Sequence, residues 1–287
     1  MSDRKWFTEF EGPGHGRTLR IDEVLVDVTT PFQKLKIFEN ESVGRVMLLD
    51  DAVMLTQRDE HIYHEMLVHP ALLAHPEPKD VLVVGGGDGG TLREVVKHPS
   101  VVRAVQCEID VEVMSYSREF LPFTACGMDH PKAEVVVGDA IEYIRGHQDS
   151  FDVVIVDSTD PVGFAEGLFR GPFYDDVKRS LRAGGVMVQQ TESPLFERVW
   201  WNRIYDELHQ SFTNVHCYWA VIPMYPGSFW TFGFASMDRD PWGAFDEARG
   251  AKVPDLKYYS PKMQQAAFVL PRWAHRQVSL SQEEGGG

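Results

Sequence analysis

Two patterns of apolar positions divide the chain. Between residues 19 and 56 the apolar runs are short, rich in Val, Ile and Leu, and separated by turn residues. The runs LRIDEVLVDV, LKIFE, GRVMLLD and AVMLT show no helical period, so they predict strands of a small antiparallel domain built from hairpins. A different spacing follows in RDEHIYHEMLVHPALLAHPEP. There Ile62, Met66, Leu67 and Leu73 recur at roughly helical intervals, and Pro76 and Pro78 end the pattern.

From residue 80 the two periods alternate. DVLVV, VVRAVQCE, AEVVVGD and FDVVIVD read as strands, and TLREVVKH, VEVMSYSREFL and AIEYIRGH between them read as helices. After a long loop come a helix in DDVKRSLR, a strand in GVMVQQ and a helix over about 195–210. Two more β runs, VHCYWAVI and FWTFGFAS, complete the pattern. Strand-helix alternation of this kind predicts an α/β, doubly wound, mainly parallel sheet of the Rossmann type. The expected division is an N-terminal β-hairpin domain over 1–57, a Rossmann-like domain over 58–280 and a disordered tail over 281–287.

An open parallel sheet binds ligands beyond the C-terminal ends of its strands. Here those ends are Gly85 to Asp88, Glu108, Asp139, Asp157 and Gln189–Gln190, and four of the five carry a carboxylate. The composition agrees: Lys plus Arg number 28 against 43 Asp plus Glu, a formal charge of −15. Such a charge opposes nucleic-acid binding, which needs a cationic face. It suits a cationic ligand, and equally the solubility of an acidic protein. The three cysteines, Cys107, Cys126 and Cys217, form no CxxC pair, which argues against structural disulfides and a zinc site. The N-terminal segment has no apolar signal core and no apolar run is long enough to span a membrane, so the expected compartment is the cytoplasm.

The loop VVGGGDGGTLRE lies between a strand and a helix, and Glu108 follows Gly85 by 23 residues at the end of the next strand. Glycines admit positive φ and close backbone approach, and an acid at that place can accept both hydroxyls of a ribose. A tight structural turn would explain the glycines but not Glu108. Within the loop, Asp88 would repel a pyrophosphate and hold a cation, which favours an adenosyl sulfonium over a dinucleotide. Asp139 can accept from an adenine amino group, or cap the helix that follows, or do both. Asp157 and Asp160, with Pro161 after them, can receive an amine. A Lys-like amine titrates near about 10, and a carboxylate can take its proton as it attacks. The plain alternative is a pair of Asx turns capping a loop.

Tyr63 and His64 fall on the helix after the β domain. On pattern alone Tyr63 belongs to the core and His64 is partly exposed. His61, His64 and Glu65 share a face, but HIYHE has neither zinc-helix spacing, so no metal is expected. The aromatic turn IPMYPGSFWTF could line the methylenes of a polyamine or simply pack the core. The loop 158–172 could serve as a lid or only as a connection.

Taken together, FQKLKIFEN, RDEHIYHEM, VLVVGGGDGGTLREVVKHPSV, QCEID, GDA, DSTDPVG, QQTESP, IPMYP, KYYSP and AAFVLP resemble the spermidine synthase family of polyamine aminopropyltransferases over nearly the whole chain. The resemblance implies a small N-terminal β domain, a methyltransferase-type Rossmann domain and a homodimer or homotetramer. It implies that Gln33, Asp88, Glu108, Asp139 and Ala140 bind decarboxylated S-adenosylmethionine, a co-substrate rather than a prosthetic group. It gives Asp157 the part of general base, and places Tyr63, His64, Asp157, Asp160 and Tyr225 around the amine, with Gln190 close by. Met54, Phe164 and Ala140 stand where the family often has Gln, Pro and Gly. The QTESP segment resembles diamine-using members and points to putrescine; cadaverine, agmatine and spermidine are the alternative acceptors. A methyltransferase, an NAD dehydrogenase and a non-catalytic polyamine-binding protein are the rivals. Asp88 opposes the first two, through a cofactor carboxylate or pyrophosphate, and the full set of proposed catalytic residues opposes the third.

Overall fold

The computed structural model describes residues 5–161, 163–242 and 247–274. The Phe164 side chain and the tail 281–287, both singled out above, lie outside the described residues.

The N-terminal part contains two sheets. Strands β1 (Lys5–Gly12) and β2 (His15–Ile21) form an antiparallel hairpin. Strands β3 (Glu23–Thr29), β4 (Lys34–Asn40), β5 (Gly44–Leu49) and β6 (Ala52–Thr56) form a four-stranded antiparallel meander. The run LRIDEVLVDV is therefore not one strand; it breaks at Asp22 between β2 and β3. Strand β1 was hidden because its alternation is inverted. Its aromatic positions Trp6 and Phe10 are exposed, while Glu9 and Glu11 on the other face are half-buried. The β5–β6 turn places Asp50 and Asp51 at φ of 48° and 63°, as a two-residue hairpin of this hand requires of both central residues.

Helix α1 (Glu60–Ala74) leads into strand β7 (Asp80–Gly85), helix α2 (Gly90–Val96) and strand β8 (Arg103–Glu108). Helices α3 (Val111–Phe120) and α4 (Pro122–Ala125), strand β9 (Ala133–Val137), helix α5 (Ala140–Arg145) and strand β10 (Phe151–Asp157) follow. Helix α6 (Gly171–Ser180), strand β11 (Leu181–Gln190), helix α7 (Arg198–Ser211) and strands β12 (Asn214–Val221) and β13 (Phe229–Ser236) come next, then helices α8 (Glu247–Gly250) and α9 (Pro261–Ala267). The helix expected over DDVKRSLR starts earlier and stops at Ser180, because Leu181 already pairs with Phe151.

The large sheet runs β12-β13-β11-β10-β7-β8-β9. Strands β9, β8, β7, β10 and β11 are parallel, as expected, while β13 is antiparallel to both β11 and β12. The strands of the parallel part are continuously apolar because both faces are covered. Val81, Val83, Val153 and Ile155 join the core beneath α1 and α2. Leu82, Val84, Val154 and Val156 point the other way, toward Phe173 and Trp201 of α6 and α7. Strand order reverses between β7 and β10, and a ligand site is expected at that switch point.

Helix α1 is buried nearly all round, with only His61 and Ile62 partly open. This corrects the expectation for His64, which is 2% exposed. Glu65 accepts the backbone N–H groups of Lys257, Tyr258 and Tyr259 at 2.7–2.9 Å, a structural task that ties the C-terminal segment to α1.

Candidate active site

The switch point is built by close backbone approach. Gly85 and Gly86 have φ of +79° and +66°, and a Cβ on either would lie 2.4 Å from the Asp157 carbonyl oxygen or 2.8 Å from its Oδ2. Glycine here lets the β7–α2 loop lie against the end of β10, and the Gly86 N–H donates to the Asp157 carbonyl at 2.8 Å.

On one side of this junction is a cavity of about 460 Å³. Gln33, Asp88, Glu108, Asp139, Ala140 and Asp157 all line it. Glu108 ends β8, and its Oε1 accepts the Asp110 N–H at 2.8 Å. Burial pushes its carboxyl up to about 7 against the pull of that N–H. Asp110 caps α3 and also accepts from Thr30 at 2.6 Å and Gln33 at 3.0 Å, so Gln33 joins the N-terminal sheet to this wall. Asp139 caps α5 through the Ile141 N–H at 2.8 Å while its side chain faces the cavity mouth. The cap and the ligand reading are compatible.

Asp157 stands at the junction itself. Its Oδ1 accepts from the Tyr63 hydroxyl at 2.7 Å and its Oδ2 from Thr91 at 2.6 Å. Burial, then Asp88, raise its carboxyl, and His64 and the two hydroxyls oppose them. Asp88 accepts the Gly90 N–H at 2.8 Å and faces the His64 Nε2 at 3.3 Å. The Nδ1 of His64 lies 2.7 Å from Glu60. Burial pulls the His64 imidazole down, but Asp88 and Glu60 together push it up to about 10. Ligand atoms of His64, Asp88 and Asp157 lie within 4.8 Å of one another. A protonated imidazole has no free lone pair for a metal, so the trio suits a charge-paired site better than a metal centre.

A second cavity, of about 350 Å³, adjoins the first and shares Asp50, Met54, Tyr63, Ser158, Thr159 and Tyr225 with it. Seven acids line it: Glu9, Glu11, Asp50, Asp51, Asp160, Glu192 and Glu197. No lysine or arginine is among the described residues of its wall. Asp160 is hydrogen-bonded to Glu192; burial pushes the Asp160 carboxyl up to about 6 and holds that of Glu192 well above the usual range. Gln190 bonds Glu192 at 3.1 Å and faces this cavity. Tyr225 donates to the Met54 carbonyl at 2.6 Å and, with Trp230, supplies an aromatic wall. His64 lines the first cavity and is absent from the wall of the second.

The structure thus gathers every expected site residue around two joined cavities. It adds Thr91, Glu192, Glu9 and Glu11, which the sequence reading missed. Glu192 lay inside the quoted QQTESP segment, and its left-handed φ of 67° has no sequence signature. Glu9 and Glu11 lie on β1, whose inverted alternation turns acids rather than aromatics inward.

A cavity of about 460 Å³ joined to an acid-lined one, at the switch point of a doubly wound sheet, has the charge to suit a cationic ligand. The chain belongs to the spermine/spermidine synthase family. Residues 60–241 match the family model of the spermine/spermidine synthase domain, and residues 5–57 match that of the spermidine synthase tetramerisation domain. The polyamine aminopropyltransferase of Desulforudis audaxviator is 46% identical over 93% of this chain and 97% of its own. That of Moorella thermoacetica is 42% identical over 97% and 98%. A spermidine synthase solved with the transition-state analogue AdoDATO superposes with a TM-score of 0.94 at 38% identity, covering 96% of this chain and 95% of that one. Spermidine synthase from Thermotoga maritima gives 0.93 at 38%, covering 97% and 95%. The fold and the enzyme class, a polyamine aminopropyltransferase, agree with the sequence expectation. The tetramerisation match supports an oligomer. Among the described residues no helix is long and apolar enough to cross a membrane.

Proposed function

We propose that the protein moves the aminopropyl group of decarboxylated S-adenosylmethionine to putrescine, releasing spermidine and methylthioadenosine. The observation that carries this is Asp157, a carboxylate on the wall of the larger cavity that accepts from Tyr63 at 2.7 Å, where Tyr63 and the neighbouring Ser158 line both that cavity and the acid-lined one. The donor occupies the first cavity, with Glu108 on its ribose, Asp139 and Ala140 at its adenine, Gln33 on the β-domain side and Asp88 on its ammonium. Ordinary S-adenosylmethionine adds a carboxylate that Asp88 repels.

The acceptor occupies the second cavity. Tyr63 and Tyr225 flank its reacting end, and Asp160, Gln190 and Glu192 hold its far ammonium. Asp157 takes one proton from the near nitrogen. The nitrogen lone pair then forms the new N–C bond as the C–S bond breaks, and the sulfur keeps the C–S bonding pair and leaves as neutral methylthioadenosine. Catalysis comes from proximity and proton removal, and alkyl transfer from a sulfonium needs no prosthetic group. Residues 1–57 serve as the assembly unit and 58–280 as the catalytic unit. The absence of CxxC pairs supports a reducing, cytoplasmic setting.

Glu9, Glu11 and Glu197 line the same cavity as Asp160 and favour one second reading, an acceptor with a third charge such as spermidine. Product formation with putrescine, cadaverine, agmatine and spermidine, using ordinary S-adenosylmethionine as the control donor, separates the cases. Spermidine made from putrescine alone supports the proposal. Methylation from the control donor, with no aminopropyl transfer, overturns it.

A further inference from the structure

His64 carries a charge that the group transfer does not use. Each of its ring nitrogens faces a carboxylate, Nδ1 at 2.7 Å from Glu60 and Nε2 at 3.3 Å from Asp88. A carboxylate only accepts, so both nitrogens carry hydrogen and the ring is an imidazolium. Behind it the arrangement is braced. Arg93 of α2 meets Glu60 with a two-pronged contact at 3.0 and 2.9 Å. Arg93 is itself held by Glu94 at 2.7 Å and the Phe123 carbonyl at 2.7 Å. In front, the ring lies flush on the loop that carries Asp88: a Cβ on Gly90 would sit 2.3–2.5 Å from three of its atoms. The imidazole has no room to swing aside. The charged and titratable groups facing it are Glu60 and Tyr63 from α1, Asp88 from the β7–α2 loop and Asp157 from β10, with Arg93 behind Glu60.

An ammonium placed on Asp88 would therefore bring a second cation beside a fixed one in a half-buried site. We propose that Glu60 and Arg93 are positioning residues that hold His64 as an imidazolium on Asp88, and that a donor ammonium arriving at Asp88 drives the His64 Nε2 proton into solvent. The ammonium enters and one proton leaves, so the charge beside Asp88 is unchanged, and the sulfonium adds its own charge nearer Asp157. The neutral ring keeps Nδ1–H on Glu60 and turns its Nε2 lone pair toward the ammonium as a second acceptor. This rests on the donor reading given above.

The wild-type protein tests it directly. Calorimetric titrations in two buffers of different ionisation enthalpy, without acceptor, count protons released on binding. Methylthioadenosine is the control for the nucleoside; it lacks the sulfonium as well as the ammonium, so ring ¹⁵N shifts are what assign the extra proton to His64 rather than to Asp157. At pH 7.5 decarboxylated S-adenosylmethionine should release about one proton more than methylthioadenosine, and its affinity should rise about tenfold per pH unit near neutrality. Ring ¹⁵N shifts should show both His64 nitrogens protonated in the free protein and Nε2 bare in the complex. In Glu60→Gln the extra proton release at pH 7.5 should fall and the rising limb of affinity should move to lower pH. Tighter binding than methylthioadenosine with no extra proton, and an Nε2 that stays protonated, overturns the proposal while leaving the donor reading in place. Equal affinity for the two ligands across pH 6.5–8.5, with no extra proton released, overturns the donor reading and the proposal with it.

Discussion

Replacing Asp157 by Asn tests the central chemistry with the least disturbance to the fold. The carboxylate accepts one hydrogen bond on each oxygen, from Tyr63 at 2.7 Å and from Thr91 at 2.6 Å. The amide keeps one acceptor, and either hydroxyl can rotate to accept from the new NH₂. Burial and Asp88 raise the carboxyl in the native protein, so the charged form is already disfavoured there. The stability change should stay within about 1 kcal/mol, the net worth of one hydrogen bond. The loss in rate is larger. A positioned base contributes roughly 10²–10⁴-fold, or about 2.7–5.4 kcal/mol of barrier. An amine with a pKa near 10 is only about 0.3% neutral at pH 7.5, so the variant must wait for spontaneously deprotonated acceptor. Raising the pH to 9.5 increases that fraction by roughly 75-fold, and the variant's rate should climb with it while the wild type climbs less. The assay is methylthioadenosine formation at saturating donor and acceptor, alongside thermal unfolding. A folded variant with kcat within about threefold of wild type at pH 7.5 would refute the base assignment. A deficit that stays constant from pH 7.5 to 9.5 would refute the proton-removal account.

Four further outcomes follow from the geometry. Asp88→Asn should weaken decarboxylated S-adenosylmethionine about 10–100-fold, the range of a lost charged hydrogen bond, and leave methylthioadenosine binding unchanged by calorimetry. Burial raises the Asp160 carboxyl to about 6 and a carboxylate must be charged to hold an ammonium, so the acceptor KM should rise as pH falls through about 6. Glu192→Gln should raise that KM about 10-fold or more with little change in kcat, as initial-rate kinetics would show. Gly90→Ala places a Cβ 2.3–2.5 Å from the His64 ring and should cost about 1–3 kcal/mol in unfolding experiments, a penalty that His64→Ala should largely remove.

Much of the site was legible because it follows from local signals. Apolar runs mark strands, their ends mark one edge of a parallel sheet, and Asp88, Glu108, Asp139 and Asp157 stand at those ends. The inference needed no knowledge of which helix covers which strand. His64 was misplaced for the opposite reason. Its exposure depends on α2, the sheet and the C-terminal segment closing around α1, and a helix buried on all sides has no amphipathic stripe to read.

By itself, the sequence determined the order of elements, the doubly wound sheet and the carboxylates at its edge, because periodicity and strand ends are properties of neighbouring residues. Tertiary structure alone decided that β1 turns Glu9 and Glu11 inward, that Glu192 meets Asp160, and that Arg93 and Glu60 lock His64 against Asp88. A buried charge persists only where distant residues supply its partners. Those partners come from β1, α1, α2 and the segment just after β11, which no local window along the chain contains together.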